Sequence, residues 1–228
     1  MVDNTFVVEK ICPICEKKMR VVKTRSRIQV ISRDEDACVH YDHFNPYYYT
    51  VWVCENCGFA ADEKTFTTKI PDRHLKILRN ILLTRNIRIP FAAERTTENA
   101  ATSFRLALKY QELIHGKASK KAKYAHQLAW IYREAGDKLA ETEYLRMAVG
   151  YYEEELATEH FPIDALTDNA VIYLIAAIYR RLGEEQKATP YLSKLIGDQS
   201  IRSSEPRIYD KARDLWGDIR AARKKSGK

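Results

Sequence analysis

The sequence predicts an α+β fold, a small metal-binding β module followed by an array of α-helical hairpins. Three observations predict it. The apolar period changes near residue 71: short runs rich in Val, Ile and aromatics give way, from Asp72 onward, to Ala, Leu, Glu, Lys and Arg at helical spacing. Two Cys-x-x-Cys pairs, Cys12/Cys15 and Cys54/Cys57, both fall in the first part. In the second part a helix, a glycine and a second helix recur at an offset of 47 residues.

The first part, residues 1–71, reads as strands at Thr5–Ile11, Arg20–Lys23, Arg27–Ser32 and Tyr47–Val53, with an insertion at residues 25–49. The second part, residues 72–228, reads as helices near 72–84, 94–115, 118–135, 137–158, 164–182, 184–197 and 205–224. Gly116, Gly136, Gly183 and Gly197 stand where glycines end helices in a left-handed conformation. The residue before a proline is pushed away from the α region, so Ile89, Phe161 and Glu205 are expected breaks. No Gly/Ser-rich linker separates the parts, so the boundary is a change of period and not a tether.

The repeat aligns Leu128-Ala129-Trp130-Ile131-Tyr132-Arg133 and Gly136 with Ile175-Ala176-Ala177-Ile178-Tyr179-Arg180 and Gly183. Tyr144-Leu145 then falls on Tyr191-Leu192. A small residue three before an aromatic, Ala129 with Tyr132 and Ala176 with Tyr179, lets a paired helix approach while the ring fills the gap one turn on. This resembles the tetratricopeptide (TPR) repeat, although the offset departs from that family's 34 residues. Two units are fewer than the roughly three that stand alone, so helices 94–115 and 205–224 are expected to flank them as caps.

The two Cys-x-x-Cys pairs, with strands around both and Gly58 after the second, read as a zinc-ribbon-like site. Each turn places two sulfurs on one side of the ion, and four thiolates complete a tetrahedron. One structural zinc on Cys12, Cys15, Cys54 and Cys57 is expected. Iron in a rubredoxin-type site uses the same spacing and is the alternative metal. About 70 residues of short strands bury too little apolar surface to fold alone, and metal binding supplies the difference. Five cysteines, an odd number, argue against a disulfide framework.

The 38 residues between Cys15 and Cys54 exceed what a minimal ribbon needs. They gather acids, the spare thiol Cys38, His40, His43 and four tyrosines. Four readings compete: a second metal site, a Cys38 nucleophile with a histidine base, a partner-binding surface, and a hydrogen-bonded loop packed on the ribbon or the helices. The residues favour the packed loop, because tyrosines bring apolar area with hydroxyl partners and Asn45-Pro46 makes a turn. The run Cys-Pro-x-Cys, Arg33-Asp34-x-Asp36-x-Cys38-x-x-Tyr41, Asn45-Pro46, Tyr49, Val53-Cys54-x-x-Cys57-Gly58-x-Ala60-Ala61 resembles a bacterial family of unknown function. Its members join a zinc-ribbon-like start to TPR-like helices. The resemblance implies no activity. It does suggest that Asp34, Asp36, Cys38, Tyr41 and Asn45 belong to a family signature, which, with Arg33, makes them the candidate residues for a functional surface.

Composition bounds the rest. At 228 residues with 30% charge the chain is one large globular domain or two small ones. No apolar stretch is long enough for a membrane span, and the start lacks a signal peptide's pattern, so a cytoplasmic location is expected. Residues 1–71 hold 10 basic and 10 acidic residues, so the net charge of +7 lies wholly in the helical part. Lys117, Lys120, Lys121 and Lys123, and the C-terminal Arg220, Arg223, Lys224, Lys225 and Lys228, form basic clusters without interleaved aromatics. No phosphate loop, nucleophile elbow or metalloprotease helix occurs. A non-enzymatic adaptor whose helices bind a protein or peptide is the leading expectation. A nucleic-acid-associated regulator and a Cys38-centred enzyme or redox sensor are the alternatives.

Overall fold

The computed structural model describes residues 4–84 and 94–226. Its β part is three two-stranded antiparallel sheets. Strands β1 (Thr5–Ile11) and β2 (Lys18–Thr24) pair from Thr5↔Thr24 to Ile11↔Lys18. Met19 and Val21 point inward while Lys18 and Arg20 face out, the period-two alternation of a half-buried strand. Strands β3 (Val30–Arg33) and β4 (Val39–Tyr41) form the second sheet, with a register irregularity between Val30 and Ser32. Strands β5 (Val51–Val53) and β6 (Ala60–Asp62) form the third.

Two strand expectations need correction. The run Tyr47–Val53 is not one strand: Pro46–Tyr49 make a 3-10 turn, and β5 begins only at Val51. Asn45 Oδ1 accepts from the Tyr47 amide at 2.8 Å, and this local bond with the fixed φ of Pro46 overrides the β preference of the tyrosines. The expected strand Arg27–Ser32 shifts to Val30–Arg33. At three residues each, β4 and β6 are too short to declare a period.

The helices are α1 (Glu63–Thr67), α2 (Asp72–Leu83), α3 (Thr97–Leu113), α4 (Ala118–Glu134), α5 (Lys138–Thr158), α6 (Asp168–Arg181), α7 (Glu185–Gly197), α8 (Gln199–Ser204) and α9 (Pro206–Ser226). The seven expected helices are present within a few residues. Short α1 and α8 are additional. A capping box between Thr96 and Asn99 opens α3, and the side chains of Asp137 and Thr167 cap α5 and α6. Helix α6 starts later than residue 164 because Ile163 and Leu166 bridge each other and Thr167 supplies the cap. Glu205 and Pro206 separate α8 from α9 as expected. The break expected at Ile89 lies outside the described residues.

Several residues that align at the 47-residue offset have similar local surroundings. Gly136 (φ +76) joins α4 to α5, and Gly183 (φ +75) joins α6 to α7, both in the left-handed region where glycine costs least. The Tyr132 and Tyr144 rings stack at 5.5 Å, and their counterparts at the 47-residue offset, Tyr179 and Tyr191, stack at 6.1 Å. Ala129 and Ala176 are fully buried. Two expected glycine ends differ. His115 (φ +48), not Gly116, takes the left-handed position after α3, and Gly197 is the last residue of α7 itself.

The strands and helices share one continuous apolar core running from Cys12 to Ile219. Helix α3 packs across β5 and β6, where Tyr110 Oη donates to the Gly58 carbonyl at 3.0 Å. Tyr124 Oη accepts from the Asp62 amide at 3.0 Å. Arg95 donates to the Tyr48 and Val51 carbonyls at 2.8 and 2.7 Å, tying the start of α3 to the β part. Among the described residues, no helix is long and apolar enough to cross a membrane.

Candidate functional site

The two Cys-x-x-Cys turns are built alike. In the first, the Cys12 amide donates to the Lys17 carbonyl (3.0 Å) and the Glu16 amide to the Cys12 carbonyl (2.9 Å). In the second, the Cys54 amide donates to the Phe59 carbonyl (2.8 Å) and the Gly58 amide to the Cys54 carbonyl (2.7 Å). The residue after each second cysteine has positive φ, +60 at Glu16 and +77 at Gly58. A glycine suits that place, and Glu16 holds it with outside help. Arg79 on α2 donates to the Ile14 carbonyl at 3.1 Å and to Glu16 Oε1 at 2.5 Å.

These turns converge. Cys12 Sγ lies 3.7 Å from Cys57 Sγ, and Cys15 Sγ lies 3.7 Å from Cys54 Sγ. All four sulfurs lie within 4.8 Å of one another. A zinc ion with bonds of about 2.3 Å has tetrahedral sulfur edges of about 3.8 Å. The thiols as placed perturb one another. The neighbouring Cys12 and Cys57 pull the Cys54 thiol far below its usual range, while the contact with Cys54 pushes Cys12 up, and Cys57 is raised as well. A divalent cation resolves that conflict by stabilising every thiolate. The four cysteines are therefore at metal-binding distance and fit a zinc-ribbon-like site.

The insertion does not loop into solvent. Asp36 is 1% exposed and sits against α4. Arg133 grips it with two bonds, Nη1 to Oδ1 at 2.9 Å and Nη2 to Oδ2 at 2.6 Å. Trp130 Nε1 donates to Oδ2 at 3.3 Å, and His126 Nε2 lies 3.3 Å from the same oxygen. Burial alone would raise this carboxyl, but the bonds from His126 and Arg133 outweigh it and hold Asp36 well below the usual carboxylate range. His126 Nδ1 in turn lies 3.1 Å from Tyr152 Oη on α5.

Around this centre the acidic run spreads over three helices. Asp34 accepts from Arg133 Nη1 at 2.6 Å and lies 3.6 Å from Arg181 Nη1 on α6. Glu141 on α5 accepts from Arg133 Nε and Arg181 Nε, each at 2.7 Å. Glu35 pairs with Arg180 at 3.3 Å. Arg133 and Arg180, which are 47 residues apart, thus both face the same acidic run. Arg33 to Asp36, with Lys138, Glu141, Arg180 and Arg181, line a cleft of about 640 Å³ between the insertion and the helices.

Each expected surface residue has a place. Asn45 caps the 3-10 turn and also bonds Glu134 on α4. The Tyr41 ring meets Tyr47 edge-on at 5.7 Å, and Tyr47 packs on Trp130 at 5.0 Å. Cys38 is 3% exposed, and burial pushes its thiol up to about 12, the reverse of an activated nucleophile. Asp34, Cys38 and His40 lie within 4.8 Å of one another, whereas His43 is turned to solvent. Arg133 and Arg181 beside Asp34 oppose a cation there. The basic cluster at the start of α4 has acceptors nearby: Lys121 pairs with Glu154 (3.1 Å), Lys123 with Asp62 (3.2 Å), and Lys117 lies 4.0 Å from Glu159.

The sequence reading missed His126, Trp130, Glu141 and Arg181 as partners of the insertion. The Tyr-Arg pairs at the 47-residue offset were the available signal, since they mark equivalent helical positions carrying a cation. Over residues 7–219 the chain matches the model of a family described as uncharacterized protein conserved in bacteria (DUF2225), and it belongs to that family. No curated protein matches it, and no solved structure does.

Proposed function

We propose that the chain is a non-enzymatic, zinc-stabilised protein-interaction protein. Four thiolates close the coordination sphere, so the metal serves structure and leaves no position for a substrate. Zinc is favoured over iron because thiolate tetrahedra of this ribbon type need no redox chemistry to hold their fold. The observation that carries the reading is the pair of 3.7 Å sulfur edges among four cysteines, three of them buried. The metal-bearing module is residues 1–71 and the helical part residues 72–228, the latter read as two TPR-like hairpins with flanking helices. The cytoplasm, where thiols stay reduced, suits such a site.

Elemental analysis of protein purified without added metal tests the first half. One zinc per chain is expected, retained in Cys38→Ser and lost in Cys54→Ser/Cys57→Ser. Iron, no metal, or loss of zinc in Cys38→Ser would overturn this reading. The interaction surface is the charged cleft between Asp34–Asp36 and α5/α6, which suits a polar peptide segment. A photo-crosslinker at Thr142, which lines the cleft, is expected to give a protein adduct in cells that disappears with Lys138→Glu. Adducts to nucleic acid alone, or none, would count against a protein partner.

A further inference from the structure

A second cavity, which shares no lining residue with the cleft beside Asp34, lies between α2, α3 and the start of α4. Phe59, Leu78, Tyr110 and Ile114 form its floor, and Ile70 and Pro71 one wall. Its volume is about 190 Å³. A dry apolar cavity of roughly 150 Å³ accepts a benzene ring, so this one has room for a single ring or a chain of six to eight carbons.

The rim has one sign of charge. Lys69, Lys117, Lys120 and His74 border the cavity, and no Asp or Glu is among the described residues lining it. Lys120 is half-buried, and its ammonium reaches the neutral hydroxyl Thr65 Oγ1 at 2.7 Å. Burial, opposed only in part by Asp62, leaves its pKa lowered, and the neighbouring Lys64, Lys123 and Lys117 act in the same direction. His74 is lowered too, by burial and then by Arg73 and Lys120. Lys117 also faces Glu159 at 4.0 Å, so Lys120 is the cation at this apolar opening that an added anion would most relieve. Lysines at the first turn of α4 oppose its dipole, so their placement does nothing for the helix.

We propose that this cavity binds a small amphipathic carboxylate, its ring or short chain on the Phe59/Leu78/Ile114 floor and its carboxylate on Lys120 with Lys117 and Lys69 beside it. Charge complementarity selects the anion, and volume excludes long acyl chains.

The test is titration of the full, metal-loaded chain with octanoate, octanol and octylammonium, followed calorimetrically and by amide chemical shifts. Saturable octanoate binding is expected, with shifts centred on Thr68, Leu78 and Ile114. Octanol should bind about tenfold more weakly, the scale of one charge-assisted hydrogen bond, and octylammonium more weakly still. Lys120→Gln should weaken octanoate by a similar factor and leave octanol unchanged. Ile70→Trp, which adds bulk at the cavity wall, should abolish both. Equal binding of octanoate and octanol, octanoate affinity unchanged in Lys120→Gln, or no saturation would overturn the proposal. Shifts confined to the cleft beside Asp34 would do so as well.

Discussion

Glu155 on α5 offers the sharpest perturbation. Its side chain is 1% exposed, and neither carboxylate oxygen has a hydrogen-bond partner among the described residues. Burial, reinforced by the charge of Glu159, raises its pKa from 4.5 to about 7. The folded chain therefore holds this proton over a pH range in which the unfolded chain has released it. Its contribution is fully present below about pH 4.5 and is lost as pH rises through about 7. At 1.36 kcal/mol per pH unit, the interval between 4.5 and about 7 corresponds to about 3 kcal/mol. Glu155→Gln is nearly isosteric with the protonated acid and does not titrate. Urea unfolding of both proteins at pH 5.5 and pH 8 is the assay. At pH 5.5, one unit above the unfolded value, the variant should already be the more stable by about 1.4 kcal/mol. By pH 8 that margin should have widened to about 3 kcal/mol, or roughly 6–12 °C in midpoint for a chain of this size. Titration of the metal thiolates occurs in both proteins and cancels in the difference. Parallel pH profiles would refute the claim that a buried, unpartnered carboxyl titrates here.

Three further outcomes follow from the site. Asp36→Ala leaves the buried Arg133 guanidinium short of its main partner and should cost about 3–5 kcal/mol in chemical unfolding; a cost below 1 would show that Arg133 simply turns to solvent. Glu16→Gly removes a positive-φ strain of about 1–2 kcal/mol and loses only an exposed ion pair worth about 0–1, so the first turn should become slightly more stable and chelator-driven release of added metal slower. Faster release would mean that the Arg79 contact matters more than the backbone. Cys38, buried with a raised pKa, should react with iodoacetamide at pH 7.5 more slowly than a model thiol until the chain is unfolded, and rapid alkylation of the folded protein would revive a reactive role.

How much of this was legible depended on whether a feature is local. The Cys-x-x-Cys turns announce themselves because two ligands on one turn are set by spacing alone. The helices announce themselves through the apolar period, and the hairpin turns through Gly136 and Gly183. The 3-10 turn at Pro46–Tyr49 was hidden because one Asn45 side-chain bond decides against the β preference of three tyrosines. The docking of Asp36 on His126 and Arg133 was hidden more deeply, since those partners are 90 and 97 residues away. That the insertion packs was legible in its tyrosines and the Asn45-Pro46 turn, but which helix it packs on was not, because the arginines that meet its charge lie on another part of the chain.

That burial poses an energetic question. A buried ion pair is expensive to desolvate, and well-packed apolar residues of similar volume often match or exceed its stability. Stability alone therefore does not require Asp36 and Arg133 to be charged. Direction does: an apolar contact tolerates rotation, whereas a bidentate grip with Trp130 and His126 on one oxygen fixes the loop in a single orientation. The orientation matters because Asp34 and Glu35 flank Asp36 and form one wall of the 640 Å³ cleft whose other wall carries Arg180 and Arg181. On this hypothesis the buried cluster is a positioning device for the cleft. The double substitution Asp36→Leu/Arg133→Met separates the two roles. It should retain stability to within about 1–2 kcal/mol while releasing Glu35 from Arg180, read as lost amide protection at residues 33–38 and as loss of the Thr142 photo-adduct. If the double variant keeps both the protection and the adduct, the charges position nothing. If it loses several kcal/mol instead, the cluster is a stabilising element and the cleft's geometry is set elsewhere.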